Sequence, residues 1–182
     1  MNLPNLLTGL RLLLVPVFVV LLFADGGESQ EARVAAFVVF LVASATDFVD
    51  GWLARSRGQV TRFGQIADPI ADKALTGAAL IGLSVLGELP WWVTVLILGR
   101  EIGITLMRFA LLRHAVLPAG RGGKAKTVLQ MIAISLYLLP LPSSWDPLAA
   151  TVMAVAVIVT VLTGIDYILK AQRLRSVAAD PA

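Results

Sequence analysis

The stretch TDFVDGWLARSRGQVTRFGQIADPIADKA, residues 46–74, sets four aspartates (Asp47, Asp50, Asp68, Asp72) and four cations (Arg55, Arg57, Arg62, Lys73) between long apolar runs. Hydrophobic residues make up 58% of the 182 positions, mean hydropathy is +0.84 and charged residues are 15%. A soluble domain carries about 25% charged residues. The expectation is an all-α integral membrane protein, and the question is what so much charge does inside it.

Six apolar segments flank or follow the stretch: Leu6 to Phe23, Ala32 to Leu53, Asp72 to Leu89, Trp91 to Leu112, Thr127 to Leu141 and Leu148 to Leu169. Most approach the roughly 20 residues that a helix needs to cross a ~30 Å hydrocarbon core. The first is read as a retained helix, because no Ala-x-Ala cleavage pattern follows it. With the N-terminus in the cytoplasm, the inner loops and tail carry ten cations: Arg55, Arg57, Arg62, Arg113, Arg121, Lys124, Lys126, Lys170, Arg173 and Arg175. The outer loops then carry Arg33 beside Asp25, Glu28, Glu31, Glu88 and Asp146. This asymmetry predicts six spans with both termini inside. Residues 1–175 read as one membrane domain and 176–182 as a flexible tail.

The net charge of +3 reflects basic membrane edges that attract anionic head groups. No basic stripe interleaved with aromatics suggests nucleic acid as a partner. Cysteine is absent, so disulfides and thiolate ligands are excluded, and any metal would take oxygen ligands or the lone His114. His114, just past a helix end, reads as solvated, and Trp91, Trp92 and Trp145 read as interfacial anchors at the outer boundary.

Asp47 and Asp50 are three apart near the end of the second helix and share a face with Gly51 and Ala54. Asp68 and Asp72, four apart around the start of the third, share another. Antiparallel pairing of these helices would gather four carboxylates at the inner edge of the membrane. Taken singly, Asp68 before Pro69 reads as a helix N-cap, and Asp47 and Asp50 can pair with Arg55, Arg57 or Lys73. Taken together, the four acids are costly unless a cation relieves their desolvation and mutual repulsion. An all-oxygen set favours hard divalent ions such as Mg²⁺ or Mn²⁺, and four carboxylates suffice to bridge a pair of ions. A divalent-cation transporter would use the same acids, but such sites lie near the midplane between repeats, and no repeat is evident.

The pattern Asp47-x2-Asp50-Gly51-x2-Ala54-Arg55-x8-Gly64-x3-Asp68-x3-Asp72 resembles the complete signature of the CDP-alcohol phosphotransferase family, eight specified residues in 26 positions. The resemblance implies that family's six-helix membrane fold, commonly dimeric, and transfer of a phosphatidyl or similar group from a CDP-linked donor to an alcohol with release of CMP. It implies two metal ions at Asp47, Asp50, Asp68 and Asp72, with Asp72 as general base. It also implies donor contacts at Gly51, Ala54, Arg55 and Gly64, and at Asn5 and Thr8 for the cytidine ring.

Further blocks, NLPNLLTGLRLLLVPVF, GREIGITLMR, GKAKTVLQM and LTGIDY, resemble the bacterial branch of the family that forms phosphatidylglycerophosphate. That branch takes CDP-diacylglycerol as donor and sn-glycerol 3-phosphate as acceptor, at the cytoplasmic face of the inner membrane. The cardiolipin synthase branch, and others with different acceptor alcohols, share several blocks. A dianionic acceptor needs cations of its own, and Arg11, Arg108, Lys124 and Lys126 are the expected ones. Glu101, Thr105 and Arg108 share a face of the fourth helix, and the start of the fifth helix at Lys124 and Lys126 would add its dipole. Arg100 and Glu101 read alternatively as a structural pair within the bundle, although adjacent helix positions do not face each other, and the functional roles of Lys73, Arg100 and Glu101 stay unassigned at this stage.

Overall fold

A computed structural model of the chain describes residues 3–56, 62–111 and 121–179. These form six α-helices and no strand: α1 (Leu3–Leu22), α2 (Gln30–Ser56), α3 (Arg62–Val85), α4 (Trp91–Leu111), α5 (Arg121–Leu138) and α6 (Asp146–Ala179). All six segments read from hydropathy are present as helices, so the apolar pattern was sufficient to locate them.

Their limits differ from the apolar runs in three informative places. Helix α3 starts at Arg62, ten residues before the apolar run that begins at Asp72. Asp68 and Pro69 therefore lie inside the helix, and the N-cap reading of Asp68 is corrected. Pro69 has no N–H to give the carbonyl of Gln65, an interruption that membrane helices tolerate because neighbouring groups re-satisfy the freed backbone. Helix α5 starts at Arg121, so Lys126 is its sixth residue and lies beyond the first turn, where the dipole acts. Helix α6 continues to Ala179, four residues into the segment expected to leave the bundle.

The turns at the Arg33 end are built from left-handed backbone. After α1 the chain reverses through Asp25, Gly26 and Gly27 at φ 52°, 66° and 89°. Helix α3 closes at Gly87, φ 77°, with the N–H groups of Glu88 and Leu89 both donating to the Leu83 carbonyl at 3.0 and 3.2 Å. Glycine takes this conformation without the Cβ penalty, which is why it ends helices so often.

Helix α1 packs against α2 and α3, α5 against α6 and α2, and α4 against α6 and α3. Phe18, Leu22, Phe40, Leu80, Leu83, Ile97, Ile134 and Leu138 fill the centre, fully or almost fully buried, with the Phe18 and Phe40 rings tilted at 6.0 Å between centroids. Ala36, Ala43, Ala79, Ala133 and Ala156 are buried between helices. Small residues at these contacts let helix backbones approach closely, the packing that works where lipid removes the hydrophobic drive between helices.

The outer surface has the opposite chemistry to that of a soluble bundle. Leu13, Val20, Val95, Leu106 and Leu162 are each 60% exposed or more, while Arg11, Arg33, Lys126, Gln130 and Thr160 are buried. Apolar residues outside and satisfied polar residues inside fit a hydrocarbon surround. Among the described residues one helical stretch, Ser143–Gln172, is by itself long and apolar enough to cross a membrane.

Candidate active site

One ion pair sets the relative height of α2 and α3. Arg33, near the start of α2, holds Glu88, just beyond α3, through two hydrogen bonds of 2.6 and 2.7 Å. The start of α2 and the end of α3 are thus at the same end, and the two helices run antiparallel. At 1.5 Å rise per residue, Asp47 and Asp50 stand about 21 and 26 Å up α2 from Arg33. Counted from Val85, Asp72 and Asp68 stand about 20 and 26 Å up α3. The four positions are matched in height, in two pairs, at the end away from the clasp. Their side chains lie outside the described residues, as do those of Asn5, Gly51, Ala54, Arg55, Gly64 and Arg108, and as do Arg57 and His114 altogether.

Next to Asp72 on the chain is Lys73, and its ammonium leads into a polar cluster. Lys73 Nζ donates to Glu101 Oε2 at 3.3 Å. Lys126 Nζ, from α5, donates to Glu101 Oε1 at 2.5 Å, and Arg100 Nη1 donates to the same oxygen at 2.9 Å. Arg100 Nη2 reaches Thr163 Oγ1 on α6 at 3.1 Å. One carboxylate on α4 therefore joins α3 and α5 directly and α6 through its neighbour. The side chains are only 28% (Lys73), 17% (Arg100), 12% (Glu101) and 6% (Lys126) exposed.

Around Glu101 three cations meet one carboxylate, so the described cluster has two positive charges in excess. The Nε–H of Arg100 is buried and has no hydrogen-bond partner among the described residues. Behind the guanidinium stem lies Gly164, where a Cβ would approach Arg100 Cγ to 3.2 Å. Arg100 and Glu101 form the structural pair that the sequence offers as one reading, although adjacent positions on a helix diverge. The reach of the arginine overcomes that divergence.

The remaining expected cations separate. Arg11 is 1% exposed, and its Nε donates at 3.2 Å to the carbonyl of Ala43, one turn before Asp47 on α2. Thr8, one turn earlier on α1, is equally buried. Lys126 belongs to the Glu101 cluster, whereas Lys124 is exposed. The sequence offers Arg100 and Glu101 as a pair and Glu101 on a face with Arg108, but it does not join Lys73 and Lys126 to them or single out Thr163. The available signal was the position of charged residues inside apolar segments, which in a membrane marks an interior partner.

Residues 1–162 match the family model described as CDP-alcohol phosphatidyltransferase. The chain belongs to that family. CDP-alcohol phosphatidyltransferases are membrane-bound and generally use divalent metals. Among similar proteins, one from Mycobacterium tuberculosis named "Probable phosphatidylglycerophosphate synthase" is 55% identical over 172 residues, which is 94% of this chain and 82% of the relative. A Bacillus subtilis CDP-diacylglycerol–glycerol-3-phosphate 3-phosphatidyltransferase is 39% identical, with 93% of this chain and 94% of that one covered. The Escherichia coli protein of the same name is 36% identical over 174 residues, covering 92% and 93%.

Proposed function

We propose that this chain transfers the phosphatidyl group of CDP-diacylglycerol to sn-glycerol 3-phosphate, yielding phosphatidylglycerophosphate and CMP. The observation that carries the reading is the breadth of the likeness: relatives named for this reaction align with more than nine-tenths of the chain. The matched heights of the four aspartates on antiparallel helices support it. So does the surplus of positive charge that begins one residue after Asp72, a suitable environment for a phosphate dianion.

An all-carboxylate set fits hard divalent ions, and Asp47, Asp50, Asp68 and Asp72 would hold two Mg²⁺ or Mn²⁺. When bound, the ions supply neutralisation of the donor's pyrophosphate charge. Asp72 accepts the proton of the glycerol 1-hydroxyl as its oxygen bonds to the β-phosphorus of the donor. The bond from that phosphorus to the bridging oxygen breaks, and the electron pair leaves with CMP. Gly51 and Ala54 present little bulk to the cytidine, Asn5 and Thr8 contribute polar contacts to it, and Arg55 and Gly64 complete the donor side. Arg11, Arg108, Lys124 and Lys126 supply cations for the acceptor phosphate. Catalysis in this scheme is mostly positioning and charge neutralisation.

The same reading places the protein in a bacterial inner membrane as a homodimer of six-span chains, both termini and the aspartates on the cytoplasmic side. The acidic outer loops and the basic inner ones support that orientation. Donor lipid enters from the inner leaflet with its acyl chains left in the bilayer.

The test is CMP release by purified protein in detergent, with CDP-diacylglycerol as donor and each acceptor supplied in turn. Glycerol 3-phosphate should be preferred over phosphatidylglycerol, inositol phosphate and serine. Faster CMP release with any of the other three would overturn the acceptor assignment.

A further inference from the structure

A cluster meant for an anion gains nothing, at first sight, from a carboxylate placed on its cations. Yet Glu101 accepts hydrogen bonds from Lys73 and Lys126, on two different helices, and from Arg100. Among the described residues each lysine gives one N–H to Glu101, and an ammonium has three donors. Without that carboxylate, three partly buried cations would repel one another, and the two flexible lysine stems would lose their common anchor. Arg100 is separately fixed, with one Nη on Thr163 and its stem against Gly164. Among the described residues, the two lysines take their direction from Glu101.

We propose that Glu101 is a positioning residue for the acceptor site: it aims Lys73 and Lys126 and lowers the cluster's charge from three positive to two. This inference rests on the phosphatidyl-transfer reading. The excess of positive charge among the described residues favours a phosphomonoester dianion over less charged acceptors. A phosphodiester such as phosphatidylglycerol carries one negative charge, and serine carries no net charge, so both are drawn less strongly. The ligand class is therefore a small alcohol bearing a phosphate monoester. Lys73, which follows Asp72 directly, brings the acceptor phosphate beside the position assigned to the base.

The experiment compares wild type, Glu101→Gln, Glu101→Asp and Lys73→Gln in steady-state CMP release, varying glycerol 3-phosphate and CDP-diacylglycerol separately. Inorganic phosphate serves as a competitive probe of the acceptor site. Glu101→Gln should raise KM for glycerol 3-phosphate about tenfold or more, the size of one lost charge-assisted hydrogen bond. The inhibition constant of phosphate should weaken by a similar factor, with KM for the donor changed less than about twofold. Glu101→Asp, which keeps the charge, should recover part of the loss.

A structural role alone would lower melting temperature and worsen both KM values together, and that result overturns the proposal. So does an unchanged KM for glycerol 3-phosphate. If Glu101→Gln does not fold, Lys73→Gln decides: the same acceptor-selective rise supports the proposal, and its absence overturns it. A wild type that prefers another acceptor refutes the transfer reading independently of any variant.

Discussion

Removal of the Arg33–Glu88 clasp should cost unequal amounts depending on which partner is changed. Arg33 donates through Nη1 and Nη2 to both Glu88 oxygens, and also through Nε to the Leu138 carbonyl at 3.3 Å and Nη2 to the Tyr137 carbonyl at 2.6 Å. The arginine thus neutralises an acid and caps the last carbonyls of α5, where a cation also complements the helix dipole. Its side chain is 8% exposed and that of Glu88 is 34% exposed. Glu88→Gln leaves the guanidinium buried on its two carbonyls and should cost about 2 kcal/mol, less than a fully buried pair because water reaches the acid. Arg33→Met also strands the two carbonyls and should cost about 3–5 kcal/mol.

Reversible unfolding in mixed detergent micelles of both single variants and the double variant would give the coupling energy. A value near 2 kcal/mol is expected, with Arg33→Met the more damaging single change. Equal costs for the two single variants would refute the role of the carbonyl contacts. A coupling energy near zero would refute the clasp itself.

Asp72→Asn should abolish CMP release while leaving melting temperature and detergent elution unchanged, because the amide cannot take up the proton; near wild-type turnover would remove Asp72 from the mechanism. Chelation of divalent ions should abolish activity, with recovery on adding Mg²⁺ or Mn²⁺, and full activity in chelator would contradict the two-ion reading. Gly82→Ala should destabilise the bundle by about 1–3 kcal/mol, since the new methyl would stand on Leu22 Cδ2, fully buried at the end of α1. Thermal unfolding checks this, and an unchanged melting temperature would show that α1 and α3 can separate freely.

Much of the fold is legible in the sequence because bilayer thickness forces a length and a polarity on every span. Segment positions such as Trp91 to Leu112 coincide with α4, Trp91–Leu111, almost to the residue. Where polar function intrudes, hydropathy failed: α3 runs ten residues past its apolar stretch because its helical start carries the charged part of the signature. Pro69 added to the error, since Asp-Pro is the usual mark of a helix start and here lies inside one.

By itself the sequence determined the helix count, the signature of aspartates and the family, because these depend on spacing along a chain whose periodicity is fixed. It could not determine which charges meet. Lys73, Arg100, Glu101 and Lys126 come from three helices, and Thr163 from a fourth, so their convergence depends on how the helices pack. The same holds for Arg33, whose partners Glu88, Tyr137 and Leu138 lie 55 to 105 residues away. The spacing of the signature is a property of two helices, but the surroundings of its last aspartate depend on how all the helices come together.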